Sequence, residues 1–138
     1  MVLVLLIRKT ALVVLMLNKV RFGVLKCWPL VIICAGCIFY FSSLPGTSIP
    51  QLFSFQENLF HFFIFFILGL FFSRALQNTF LGVSGRNIII FTFIFTLFYG
   101  ISDEFHQYFV PYRDVSILDV SIDGLGGLFG GLFYIWLK

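Results

Sequence analysis

Long apolar runs alternate along the chain with short clusters of polar, glycine and proline residues. Four runs are long enough to cross a bilayer: about Trp28 to Ser43, Glu57 to Leu76, Ile88 to Phe109 and Val115 to Leu137. A helical span needs roughly 20 apolar residues, within a range of about 17–25, so the first is short unless Val24 and Leu25 join it. Backbone polar groups find no water partner in lipid and must pair within their own segment. Each run is therefore expected to be a helix, although Phe and β-branched residues are poor helix formers in water. Pro45, Gly46 and Pro50, then Gly82 and Gly85, then Pro111 stand where the chain must turn. The pattern predicts an all-α polytopic membrane protein. Residues 28–138 form a bundle of four transmembrane helices, and residues 1–27 form a segment of different character.

In that first segment two apolar runs, Met1–Ile7 and Ala11–Leu17, are each too short to span, and charges separate them. Arg8, Lys19 and Lys26 share one side of a helix, because their spacings are near whole turns. A basic amphipathic helix lying on an anionic inner leaflet is expected. A cleavable leader is not expected, since the apolar run precedes the charges and no small-residue cleavage site follows.

Composition narrows the class further. The 138 residues are 60% hydrophobic and 11% charged, against about 45–50% and about 25% in soluble domains. Twenty-one residues are Phe and the net charge is +3, too few charges to cover a water-soluble body. Soluble enzymes, disordered chains and disulfide scaffolds are excluded. Glycine-rich phosphate loops, dinucleotide fingerprints and a basic stripe for nucleic acid are all missing from the sequence.

Lys and Arg set the orientation. Arg8, Lys9, Lys19, Arg21 and Lys26 precede the first span, Arg74 and Arg86 flank the loop between the second and third, and Lys138 ends the chain. With both termini cytoplasmic, only Arg113 of the nine basic residues lies outside. A multi-pass protein of the cytoplasmic (inner) membrane with both termini inside is expected.

On that topology the acids Glu57, Asp103, Glu104, Asp114, Asp119 and Asp123, and the histidines His61 and His106, all fall at or near the outer end. Ionisable groups at membrane depth are expensive, about 2.5–3.5 kcal/mol each on insertion scales, and usually face a bundle interior or wet cavity. A polar pocket open to the outside is predicted. Tyr99, Asp103, His106 and Gln107 form one stripe of the third span, and Glu104 is rotated about 100° from Asp103, toward another neighbour. Glu57 and His61 are one turn apart. Asp119, Asp123, Gly127 and Gly131 form a ridge on the fourth span, which Gly126 and Gly130 widen into a small-residue strip. Such a strip lets another helix approach closely or leaves a groove for a lipid chain.

Plainer roles compete. Ser54 with Glu57, and Ser116 with Asp119, have the spacing of capping boxes. Capping does not explain Asp123, a turn further in. Nor does it explain Asp103 and Glu104 near a helix C-terminus, where the dipole disfavours anions. Arg113 has the plain role of neutralising one of these three acids. Cys27, Cys34 and Cys37 sit in or near an apolar helix without further ligands and are expected to be packing residues.

The segment from Asp103, Glu104 and Gln107 through Phe109, Pro111 and Arg113 to Ser116, Asp119, Asp123 and the glycines beyond resembles the VanZ-like family. That family is named for an accessory protein of teicoplanin resistance. Its pattern D-E-x-x-Q-x-F-x-P-x-R-x-x-S-x-x-D-x-x-x-D-x-x-G is met at every fixed letter. Ser42-Ser43-Leu44-Pro45 resembles the family's S-S-x-P turn, and Glu57 to Phe62 with Leu68-Gly69 resembles D-K-x-x-H-F-x-x-F-x-x-L-G. The likeness covers roughly Phe39 to Phe133. Glu57 stands for the usual Asp, Asn58 for the usual Lys, and Tyr112 where Gly is common. The resemblance implies a small helical membrane protein of the bacterial cell envelope, linked through the namesake to glycopeptide resistance.

Three functions follow as expectations. In the first, the protein acts on an envelope lipid or lipid-linked precursor at the outer leaflet. Asp103, Glu104, Asp119 and Asp123 then hold a divalent cation, and His61 or His106 serves as ligand or acid/base. Glu57, Gln107, Arg113, Asp119, Ser42 and Ser43 contact substrate, and the glycine strip takes an acyl or isoprenoid chain. In the second, the same groups belong to a non-catalytic lipid- or glycopeptide-binding accessory protein. An ion pathway is a weaker third, because no relay of ionisable groups runs to the cytoplasmic side.

Overall fold

A computed structural model describes residues 2–48, 52, 53 and 55–138, with side chains from residue 8 onward apart from those at 19, 21 and 22. The chain is 82% helical without strands among the described residues. The order is α1 (Val2–Ser42), a short 3-10 turn (Gly46–Ser48), α2 (Gln56–Thr79), α3 (Gly85–Gln107) and α4 (Ile117–Trp136). Four of these helices are long and apolar enough to cross a membrane. The spans predicted second, third and fourth agree with α2, α3 and α4 to within about three residues at each end.

The first span differs. The basic segment expected over residues 1–27 is continuous with it, since α1 runs without a break from Val2 through Pro29 to Ser42. Charges interrupt an apolar run but not the backbone hydrogen bonds of a helix, and Lys and Arg are good helix formers. At a rise of about 1.5 Å per residue, 41 residues extend for about 62 Å, twice the hydrocarbon thickness of a bilayer. Residues 8–18 are all exposed, and contact with the bundle begins near Gly23, whose added Cβ would meet Asn78.

From there one stripe of α1, Cys27, Val31, Cys34 and Ile38, is buried against Phe65, Leu68, Phe72 and Ala75 of α2. All three cysteines are free; Cys27 and Cys34 are buried in this packing as expected, whereas Cys37 lies on the exposed side and is not part of it. The rings of Phe72 and Phe95 stack at 4.0 Å and 6°, tying α2 to α3. The α2–α3 pair lies in the middle, with α1 on one side and α4 on the other.

Glycines explain how closely α4 approaches. A Cβ at Gly126 would stand 2.5 Å from the carbonyl of Phe62, and one at Gly130 would collide with the carbonyl of Phe66. On the adjoining face a Cβ at Gly127 would collide with Thr96. Helix α2 therefore lies against one edge of the strip and α3 against the other. The strip is filled by helices, which corrects the expectation that it leaves a groove for a lipid chain. Where no apolar surface is driven out of water, close contact between backbones is a main source of helix association.

Candidate functional site

The polar residues gather at the end of the bundle formed by the C-termini of α1 and α3 and the N-termini of α2 and α4. Two connections close that end. Gly46 in the α1–α2 loop donates its N–H to the carbonyl of Pro111 at 3.3 Å, so that loop is laced to the α3–α4 turn. Arg113 completes the lacing. Its Nε donates to the carbonyl of Leu44 at 3.3 Å, and Nη2 donates to that of Phe41 at 3.2 Å. Nη1 stands 3.7 Å from Glu57. Arg113 was expected to neutralise Asp103, Glu104 or Asp123. Its ion pair is instead with Glu57, because the turn at Pro111 carries it toward α1 and α2.

The helix starts are capped unevenly. Ser54 lies outside the described residues, so its pairing with Glu57 is not drawn; Phe55 occupies the cap position of α2 without a side-chain bond. At α4 the cap is Ser116, whose hydroxyl accepts from the N–H of Asp119 at 3.3 Å. In a capping box the residue three positions on returns the bond to the cap's own N–H. Here that N–H donates to Glu104 Oε2 at 2.8 Å, so a carboxylate from α3 takes the place of Asp119. Glu104 does face a different neighbour from the α3 stripe, and that neighbour is the start of α4.

Deeper in, His61 of α2 meets Asp123 of α4, with Nδ1 2.9 Å from Oδ1. Asp123 is completely buried, and the room for it comes from Gly100, where an added Cβ would lie 2.7 Å from Oδ2. Ionised Asp123 only accepts, so Nδ1 carries the proton of this bond and neutral His61 keeps its lone pair on Nε2. Gln107, one turn on from Asp103, donates to Asp103 Oδ2 at 2.9 Å and to Glu104 Oε1 at 3.4 Å. One ligand-type atom each from His61, Asp103 and Glu104 lies within 4.8 Å of the other two, and all three residues are buried. These are the residues that could hold a metal.

Beside this cluster is a cavity of about 310 Å³ lined by Ser42, Glu57, His61, Asp103, Gln107 and Arg113 together with apolar side chains such as Ile38, Phe60 and Phe65. The hydroxyl of Ser42 is buried and has no hydrogen-bond partner among the described residues.

Other predicted site residues lie apart from it. His106 is stacked on Phe39 at 4.5 Å, with Nε2 2.9 Å from the Ser43 hydroxyl. That hydroxyl spends its one proton on the carbonyl of Phe39 at 2.7 Å, so it accepts from His106. His106 and Ser43 thus fasten α3 to α1. Tyr99 does the same about two turns lower, donating to the carbonyl of Ala35 at 2.8 Å. Asp119 is half-buried in the first turn of α4, outside the three-residue group. Gly100 was not anticipated. A glycine within a span, one turn before two acids, is the available signal for a backbone that must admit a side chain from a neighbour.

The family described as VanZ/LLP1 matches residues 27–138. No curated protein and no solved structure matches the chain.

Proposed function

Because the chain belongs to the VanZ/LLP1 family, which is linked to glycopeptide resistance, we propose that it binds or acts on an envelope lipid or lipid-linked precursor. In this reading the protein sits in the cytoplasmic membrane with both termini inside. Its cavity then lies just beneath the outer face and takes the polar head of the ligand, while the tail stays in the surrounding lipid.

One observation carries the reading. The cavity joins apolar walls to a small set of convergent polar groups, Ser42, Asp103, Gln107 and Arg113 among them, and lies at the end of the bundle remote from Arg74, Arg86 and Lys138. Its volume of about 310 Å³ is at the low end for ligand pockets, about 300–1,000 Å³, which suits a head group rather than a whole lipid. Arg113 supplies the forked donor suited to a phosphate or carboxylate. The His61–Asp123 pair supplies an oriented imidazole beside it, able to act either as a base or as a metal ligand. Among the described residues no hydroxyl or thiol is hydrogen-bonded to His61, so acid/base or metal-assisted chemistry, or binding alone, is favoured over a covalent route.

The test is teicoplanin susceptibility together with mass spectrometry of membrane lipids and wall precursors, in cells with and without the chain. Wild type is expected to lower susceptibility and to shift at least one lipid or precursor pool. Asp103→Asn and Arg113→Gln should lose both effects at unchanged protein level, and Arg113→Lys should retain part. A catalytic site predicts all-or-none loss with Asp103→Asn; a binder predicts graded loss across all three variants. Full effects in well-expressed Asp103→Asn and Arg113→Gln cells would remove the cavity from the function.

A further inference from the structure

The buried end of the site has more negative charge than its protein partners balance. Asp103, Glu104 and Asp123 are 5%, 3% and 0% exposed, and among the described residues the one basic side chain paired with any of them is His61. Arg113 is engaged with Glu57, and no Lys or Arg forms an ion pair with the three buried acids among the described residues. Like charges this close, inside a low-dielectric bundle, need either protons or a counter-ion.

The arrangement has the form of a prepared metal site. His61, Asp103 and Glu104 offer one nitrogen and two oxygens within 4.8 Å of one another. Two atoms each about 2.0–2.2 Å from one ion stand at most about 4.4 Å apart, so the group closes slightly on a bound ion. Every ligand has a fixed outer partner. Asp123 accepts from His61 Nδ1 at 2.9 Å, leaving Nε2 as the nitrogen able to bind. Gln107 holds Asp103 Oδ2 at 2.9 Å, leaving Oδ1. The Ser116 N–H holds Glu104 Oε2 at 2.8 Å, and Oε1, which accepts only the long 3.4 Å bond from Gln107, keeps a lone pair for the ion. A carboxylate behind a ligating histidine and hydrogen bonds behind ligating carboxylates are the usual outer surroundings of a protein-bound metal. An independent sign that a ligand binds at this end is the buried hydroxyl of Ser42 on the wall of the adjoining cavity, which has no partner among the described residues.

We propose that His61, Asp103 and Glu104 bind one divalent transition-metal ion, Zn²⁺ or Mn²⁺, with Asp123 positioning His61 and the ion's open coordination directed to the cavity. One imidazole and two carboxylates suit these ions better than Mg²⁺ or Ca²⁺, which favour all-oxygen sites. Of the groups expected from sequence, the set keeps Asp103, Glu104 and His61 and leaves out Asp119 and Asp123 as ligands. An ion there would offset the buried negative charge and draw an anionic head group. The site stands whether or not the ligand is a lipid.

The experiment uses the full chain in detergent, purified on a tag without histidine, stripped with chelator and dialysed against Zn²⁺ or Mn²⁺. Metal analysis is expected to find about one ion per chain. His61→Ala, Asp103→Asn and Glu104→Gln should each lose it, and Asp123→Asn should weaken binding about 10- to 100-fold. Replacing Cys27, Cys34 and Cys37 together by Ser, or His106→Ala, should leave the stoichiometry intact. Because a ligand variant can fail to fold, Co²⁺ is also titrated into the wild-type chain. Saturable visible bands without a thiolate charge-transfer band are expected. Absence of saturable binding by Zn²⁺, Mn²⁺ and Co²⁺ to the folded wild-type chain overturns the proposal, as does binding that the cysteine variant loses and folded His61→Ala keeps. A metal centre without any lipid change in cells would count against the lipid reading alone.

Discussion

Tyr112 is where side chain and backbone disagree. Its φ of 60° lies in the left-handed region, which disfavours a residue with a Cβ by about 1–2 kcal/mol. Its ring is exposed, so little packing offsets that. The conformation belongs to the crossing of the two loops: a Cβ at Gly46 would collide with the carbonyl oxygen of Tyr112, and Gly46 bonds to Pro111. The glycine common at this position in VanZ-like sequences is thereby explained. Tyr112→Gly is expected to raise the thermal midpoint in detergent, by a net of roughly 0.5 kcal/mol once the entropy of an added glycine in the unfolded chain, about 0.5–1 kcal/mol, is subtracted. Gly46→Ala should lower it and loosen Arg113. A Tyr112→Gly variant clearly less stable than wild type would show that the ring is needed where it is.

The helices show what patterning can and cannot convey. Their existence, order and approximate ends were legible, because in lipid a long apolar run has one stable backbone state. The cavity residues on α3 were legible too, since Asp103 and Gln107 are one turn apart. The bond between His61 and Asp123 was not, because 62 residues separate them and nothing local tells Asp123 which helix it meets. The capping motif at Ser116 misled for a related reason. The motif is local, but Glu104 of α3 competes successfully for the Ser116 N–H. The glycine strip announced close approach without naming partner or edge. Its contacts now make opposite predictions for two glycines. Gly130→Val drives a branched side chain into the backbone of α2, and overpacking of this kind costs about 1–3 kcal/mol or more. Gly36→Ala meets nothing within 4 Å and should stabilise α1 by about 0.5–1 kcal/mol through helix propensity. Thermal unfolding of the two variants checks both signs. A stable, monodisperse Gly130→Val protein would mean that α4 does not lie against α2 as described.

At the scale of the whole molecule, α1 is longer than any bilayer requires, and its two halves live in different surroundings. The half from Cys27 to Ser42 is buried on one stripe and holds α3 through Ala35 and Phe39, with Ser43 just beyond its end adding a bond to His106. The half before Gly23 has residues 8–18 wholly exposed, including Leu12, Leu15 and Leu17. Exposed leucines cannot simply extend into water, and Arg8, Lys9 and Lys26 resist entry into hydrocarbon. An anionic membrane surface satisfies both demands, since basic residues gain about 1 kcal/mol each near anionic lipid while apolar ones sink to the acyl boundary. If that half is an interfacial arm, deleting residues 2–18 takes away a segment in which residues 8–18 are exposed rather than packed on the bundle. The shortened chain should then insert in the same orientation, judged by reporters fused after Lys138 and within the Gly46–Ser48 turn, and keep its thermal midpoint in detergent. Its binding to vesicles cannot report the arm, because the bundle itself is embedded. A peptide of residues 1–27 can, and it should bind vesicles containing anionic lipid more tightly than neutral ones, with the difference shrinking as salt is raised. Equal binding to both vesicle types, or a truncated bundle that unfolds at markedly lower temperature, would instead make this half part of the packed structure.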